Sequence, residues 1–149
     1  MAKLSAEALA LLGTRGLGEL AEKMGIELVE LSAELAVATM PVAGNRQPLG
    51  LLHGGAYVVL AETLGSIAAN VWAHPEKSAV GIEVSASHSA SARDGIVTAT
   101  CKAINLGRSL TTHEIVITDE AGKRLSTVRI TNFLKAKAAN NGASDVFHG

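Results

Sequence analysis

Residues Gly54 to Ala73 constrain this chain more than any other stretch. Apolar side chains fall on nearly every side of the helix they predict, so that helix must be buried all round. Glu62, Ser66 and Asn70 are the exceptions. They recur at every fourth position and form one polar stripe. A membrane-spanning helix would rarely present such a set to lipid, so the stretch reads as the core helix of a soluble, cytoplasmic protein with no membrane partner. His74-Pro75 ends the helix.

The flanking sequence supplies what must cover it. Residues 5 to 24 predict two short helical pieces, broken near Gly13-Thr14-Arg15-Gly16. Ile26 to Leu31 and Glu34 to Met40 alternate and predict a hairpin. Pro41 to Leu52 is a loop. After the helix, Val80 to Ala90, Ile96 to Ile104, Leu110 to Thr118 and Leu125 to Leu134 predict four antiparallel strands joined by glycine-containing loops. In the first, Ile82, Val84, Ala86 and His88 are expected on one face. Residues 1 to 135 make a single domain, and the small and polar residues 136 to 149 predict a disordered tail. The fold class is α+β, a curved antiparallel sheet wrapped around one long central helix. One short sheet cannot cover every side of such a helix, so pairing with a second copy is expected.

Composition removes several function classes. Thirteen basic and fourteen acidic residues leave a net charge of −1, which gives no electrostatic reason to expect nucleic acid. A single cysteine, Cys101, excludes an internal disulfide framework. No histidine pair has metal-site spacing, so no metal is expected. Gly-x-Ser-x-Gly, Rossmann and P-loop patterns are absent.

The densest cluster of candidate chemistry is Gln47-Pro48-Leu49-Gly50-Leu51-Leu52-His53-Gly54-Gly55, followed by Glu62. Gly54 and Gly55 stand where the helix begins, and a helix start offers unpaired N–H groups to a carbonyl or an oxyanion. The same glycines also fit a tight turn. Glu62 is a carboxylate amid apolar residues, costly to bury unless paired or used, and suited to act as base or nucleophile. Equally, it fits an exposed stripe or structural bonds to Ser66 and Asn70. His53 could orient the loop or touch a ligand. His88 is expected to point inward, and His113 to be a core histidine. Ser109 follows Gly107-Arg108 and fits either a ligand contact or a turn.

These motifs resemble the hotdog-fold acyl-CoA thioesterases. The similar branch is the PaaI-like group, which includes 4-hydroxybenzoyl-CoA thioesterase of the Arthrobacter type and 1,4-dihydroxy-2-naphthoyl-CoA thioesterases. The resemblance also takes in Ala86-Ser87-His88, Ser91 to Gly95 and Leu106-Gly107-Arg108, and spans roughly residues 5 to 135. It implies Glu62 as the catalytic carboxylate, nucleophile or general base. It implies Gly54 and Gly55 at the thioester carbonyl, Gln47 and His53 beside the thioester, and Ser66 positioning water or the carboxylate. His88 would lie near the acyl group, and Arg93 and Arg108 near the coenzyme A phosphates. It also implies a homodimer with shared active sites, two dimers forming a homotetramer, and no cofactor, because coenzyme A arrives with the substrate.

The expected activity is hydrolysis of an aromatic acyl-CoA. The alternatives are a medium-chain or broad-range thioesterase and a non-catalytic acyl-CoA-binding protein. The His with Asp or Glu pairing of hotdog hydratases is not apparent around the helix.

Overall fold

The structure is a computed structural model that describes residues 2–13 and 16–138. A two-residue strand, β1 (Lys3–Leu4), leads into α1 (Ala6–Leu12) and α2 (Glu19–Met24). Ser5 starts α1 because its hydroxyl accepts the Ala8 N–H at 3.1 Å, filling one of the vacant first-turn bonds. The predicted hairpin forms as β2 (Glu27–Leu31) and β3 (Leu35–Pro41). Ser32 closes it, its hydroxyl exchanging bonds with the Leu35 backbone.

The long helix, α3, runs Gly54–Ala73 as its sequence pattern requires. Four strands follow: β4 (Lys77–His88), β5 (Ile96–Leu106), β6 (Leu110–Thr118) and β7 (Arg124–Ala136). The first residue of the expected tail, Ala136, instead closes β7, and the tail's residues from 139 onward lie outside the described residues.

All seven strands form one sheet in the order β1-β2-β3-β5-β6-β7-β4. Among the described residues only β1 and β2 pair in parallel. β4 lies at the far side of the sheet, where its outer edge has no strand partner among the described residues.

α3 lies against the inward-facing residues of β5, β6 and β7. Leu60, Ala61, Leu64 and Ala68 meet Ile115, Ile117, Val128 and Ile130, all at most 2% exposed. Burying each of the larger side chains contributes about 1.5–3 kcal/mol. By length and composition α3 could cross a membrane, but it is the core of this fold, with 56% of its apolar window buried.

The expected face of β4 needs one correction. A bulge between Gly81 and Glu83 leaves Ile82 as the extra residue, so the inward row is Gly81, Val84, Ala86 and His88. An inserted residue reverses the alternation beyond it. Ile82 is 58% exposed.

Two core features give tests. Gly65 is where α3 comes closest to the sheet: a Cβ there would lie 2.5 Å from Ile130 Cγ2. Helix propensity favours Gly→Ala by about 1 kcal/mol. Overpacking against a stiff β-branched side chain costs about 1–3 kcal/mol. Gly65→Ala is expected to lower the urea midpoint, and a raised midpoint would show that the helix can lift freely.

His113 is fully buried, and Nε2 donates to the Ala33 carbonyl at 3.0 Å while Nδ1 has no partner. Desolvation lowers its pKa, with the Ala33 hydrogen bond pulling the other way. Below the unfolded value of about 6.5 the unfolded chain takes a proton that the folded chain refuses. Stability is therefore expected to fall as pH drops from about 6.5 toward the folded pKa. His113→Leu should flatten that slope in urea titrations.

Candidate active site

The start of α3 is built by contacts between histidines and glycines. His53 caps the helix: its Nδ1 accepts the Gly55 N–H at 2.8 Å. Neither Gly54 nor Gly55 has a positive φ, so a tight turn is not why they are glycines. Close packing is. A Cβ on Gly54 would lie 3.0 Å from His88 Nε2, and one on Gly55 would lie 3.0 Å from His53 Nδ1. With Gly55 bonded to His53, the Gly54 N–H is the first-turn donor left over.

His88 comes from the end of β4. Its Nδ1 is 2.8 Å from Ser126 Oγ, and its ring centroid is 5.1 Å from that of Tyr57 on the first turn of α3. It faces the helix as expected, yet is exposed in the single chain. The Tyr57 phenol lies near the Ala92 backbone without a well-formed hydrogen bond, and burial raises its pKa.

The loop before α3 folds over this end. Gln47 turns its side-chain oxygen onto the Leu49 N–H, and Gly50, at φ 79°, makes the turn that permits it. Asn45 Nδ2 ties the loop to the carbonyls of Met24 and Pro41, each at 2.8 Å. Arg46 Nε donates to the Arg93 carbonyl at 2.9 Å, and the Leu52 N–H to that of Ala92 at 2.8 Å. Gln47, His53, Gly54, Gly55, His88 and Arg93 thus gather at one end of the fold.

The polar stripe separates into different roles. Asn70 holds β4 to the helix: its Nδ2 donates to the Ala79 carbonyl and its Oδ1 accepts the Ala79 N–H at 2.9 Å. Ser66 Oγ donates to Asn132 Oδ1 over a long 3.5 Å. Glu62 has no hydrogen bond or ion pair among the described residues and is exposed, so of the alternatives open in the sequence it is neither buried nor bonded to Ser66 and Asn70. The sheet does not reach over that part of the helix in one chain. Glu62 Oε1 instead lies 3.5 Å from where a Cβ on Gly81 would stand.

Arg108 and Ser109 are not near the start of α3. Their loop packs at its far end, where Trp72 Nε1 donates to the Gly107 carbonyl at 2.9 Å and Lys77 to that of Arg108. Both residues are exposed, as is Arg93.

Among the described residues no three His, Cys, Asp or Glu side chains gather as metal ligands would. Cys101 is buried, its thiol pushed up to about 12 by desolvation, and so is no nucleophile.

Gly81, Asn132 and Ser126 went unread in the sequence. The first two left a signal. Gly81 interrupts a strand pattern, which often marks a bulge, and Asn132 takes an inward position between Ile130 and Leu134.

A model of the Thioesterase superfamily matches residues 49–126, which include Gly54, Gly55, Glu62 and His88. The chain is 45% identical over 121 residues to proofreading thioesterase EntH of Cronobacter turicensis, covering 80% of this chain and 88% of that protein. It is 39% identical over 130 residues to the 1,4-dihydroxy-2-naphthoyl-CoA hydrolase of Escherichia coli, covering 87% and 93%. The crystal structure of a thioesterase variant from Pseudomonas aeruginosa superposes with a TM-score of 0.80 at 36% identity, over 87% of this chain and 94% of that one.

Proposed function

The chain belongs to the thioesterase superfamily, with the hotdog fold and thioester hydrolysis as its activity, and from that premise we propose that it cleaves an aromatic acyl-coenzyme A. Glu62 is the catalytic carboxylate. The observation that carries this reading is its isolation: it alone of the stripe is open and, among the described residues, unpartnered, on the same helix that presents the Gly54 N–H. The aromatic preference draws support from the naphthoyl-CoA hydrolase relative and from the His88 and Tyr57 rings beside Gly54.

In this reading the Gly54 N–H polarises the thioester carbonyl and stabilises the oxyanion formed on attack. Glu62 attacks the carbonyl carbon or takes a proton from the water that does. His53 holds the helix start in shape, and Gln47 borders the thioester from the loop. His88 lies against the acyl group. Arg93, Arg108 and Ser109 meet the coenzyme A end of the substrate, the arginines at its phosphates. Coenzyme A belongs to the substrate, so no further cofactor enters.

The site is shared between two subunits. Eight residues of helix separate Gly54 from Glu62, about 12 Å of rise, whereas attack requires about 3–3.5 Å. Antiparallel pairing of two α3 helices sets Glu62 beside Gly54 of the partner subunit. It also brings the Arg108 end of one helix toward the His53 end of the other. The free edge of β4, with exposed Val80 and Ile82, suits such pairing. On the outer face of the sheet Val80, Phe133 and Leu110 form one cross-strand apolar row, each 42–43% exposed, which suits two dimers joining as a tetramer.

Glu62→Gln is expected to lower kcat at least about a hundredfold while leaving the melting temperature near wild type. A steady-state panel should rank benzoyl-type thioesters above hexanoyl- and decanoyl-CoA in kcat/KM. The reverse ranking would replace the aromatic preference with a medium-chain or broad-range one.

Subunit mixing tests the shared site. Glu62→Gln and Gln47→Ala chains, refolded together, should recover roughly a quarter of wild-type activity, since about half the dimers are mixed and each holds one intact site. Activity no higher than that of the separate variants, with exchange verified by mass spectrometry, would place each site within one chain.

A further inference from the structure

We propose that Ser126 is a positioning residue that holds His88 in one tautomer, with a bare Nε2 turned to the acyl group as a hydrogen-bond acceptor. The inference rests on the reading that His88 lies against the acyl group. It adds which hydrogen-bonding face the imidazole shows and what sets it.

Ser126 first requires a reason to be polar. It stands on the inward row of β7 with Val128 and Ile130, between His88 of β4 and Ile117 of β6, and it is fully buried. An apolar residue would serve the core there without a hydroxyl to satisfy. The hydroxyl makes two contacts, one to the Ser87 carbonyl at 3.3 Å and one to His88 Nδ1 at 2.8 Å.

The directions of these two bonds follow from where protons can come from. A hydroxyl carries one proton and accepts through its lone pairs, whereas a carbonyl oxygen only accepts. The Ser126 proton therefore goes to Ser87. The second bond then runs the other way, with the His88 Nδ1–H donating to Ser126 Oγ. The reverse assignment would set a hydroxyl lone pair against the Ser87 carbonyl oxygen. A neutral imidazole holds one proton, and with that proton on Nδ1 the Nε2 atom is a bare acceptor.

That acceptor is open to a ligand. His88 is exposed, and its Nε2 has no hydrogen-bond partner among the described residues. It stands 3.0 Å from where a Cβ on Gly54 would lie. A Cβ sits about 2.5 Å from its own backbone nitrogen, so Nε2 is within about 5.5 Å of the Gly54 nitrogen, whose N–H polarises the carbonyl. The Tyr57 ring, its centroid 5.1 Å away, backs the imidazole from the helix. Gln47 supplies a contrast. Its side-chain oxygen is taken by the Leu49 N–H, which leaves its amino group, a donor, for a ligand. Gly54 and Gln47 thus offer donors, and His88 offers the acceptor. A hydroxyl next to the thioester on the aromatic ring would donate to Nε2 while the carbonyl meets Gly54. An unsubstituted ring displaces water from Nε2 and returns no partner to it.

The test measures kcat/KM on 2-hydroxybenzoyl- and benzoyl-coenzyme A, thermal melting, and the nitrogen-15 spectrum of the histidine rings at about pH 8, where an ordinary imidazole is neutral. The His88 signals are those lost in His88→Gln. Wild type should prefer the hydroxylated substrate roughly tenfold, the scale of one hydrogen bond, and show His88 protonated at Nδ1. Ser126→Ala frees the proton to move to Nε2, which turns the acceptor into a donor. The preference should then fall to near parity, with the loss on the hydroxylated substrate. Ser126→Thr keeps the hydroxyl and should retain both the preference and the Nδ1 proton. A wild-type ring protonated at Nε2 overturns the inference, and that spectrum needs no variant to fold. So does a Ser126→Ala chain that keeps the preference. So does one that loses activity equally on both substrates with a falling melting temperature, which marks a structural role. Turnover of both benzoyl substrates by wild type without preference removes this inference alone. Turnover of decanoyl-coenzyme A beside failure on both removes the aromatic reading, and this inference with it.

Discussion

A helix that is apolar on nearly every side has to be covered, and one sheet covers only part of it. Everything else here follows from how α3 is seated. Gly65 lets the helix down onto Ile130 and Ile115, and the inward rows of β6 and β7 close around that contact. The strand order then puts β4 on an outer edge, beside the part of the helix that carries Glu62. The open side of the helix and the open edge of the sheet are consequences of the same packing. A second copy satisfies both at once, and the reading of a shared site rests on that.

Polar atoms in and around this core fall into two groups by whether their hydrogen bonds are met. Asn70 is bonded through both ends of its amide to the Ala79 backbone, and it does what a partly buried amide does when it is structural. Asn132 and Thr111 have buried polar atoms with no partner among the described residues. Unmet groups of this kind cost stability, and they concentrate where a fold serves chemistry rather than cohesion. That contrast separates the two asparagines, one on α3 and the other on the strand that packs against it.

The start of α3 obeys a different constraint. Two imidazoles crowd two glycines, one ring capping the helix and the other closing over it from β4. Any Cβ would push a ring away, so the His-Gly-Gly sequence and His88 are one packing unit drawn from distant parts of the chain. The pairing leaves the Gly54 N–H as the donor at the positive end of the helix dipole.

The sequence alone determined the helix from Gly54 to Ala73, the hairpin before it, the four strands after it and the cluster around His53. Each is written in local periodicity or in residues adjacent along the chain. It also marked Glu62, because a carboxylate interrupting an apolar helix is visible without coordinates. Only the tertiary structure decided that Glu62 is open rather than buried, that Ile82 leaves the inward row of β4, and that Arg108 lies at the opposite end from Gly54. The tertiary structure also revealed Gly81 and Asn132 as neighbours of Glu62. Strand order, bulge position and cross-strand register depend on pairings between residues far apart in the chain. A pattern of period two or 3.6 specifies which face a residue takes, and leaves unspecified what that face will meet.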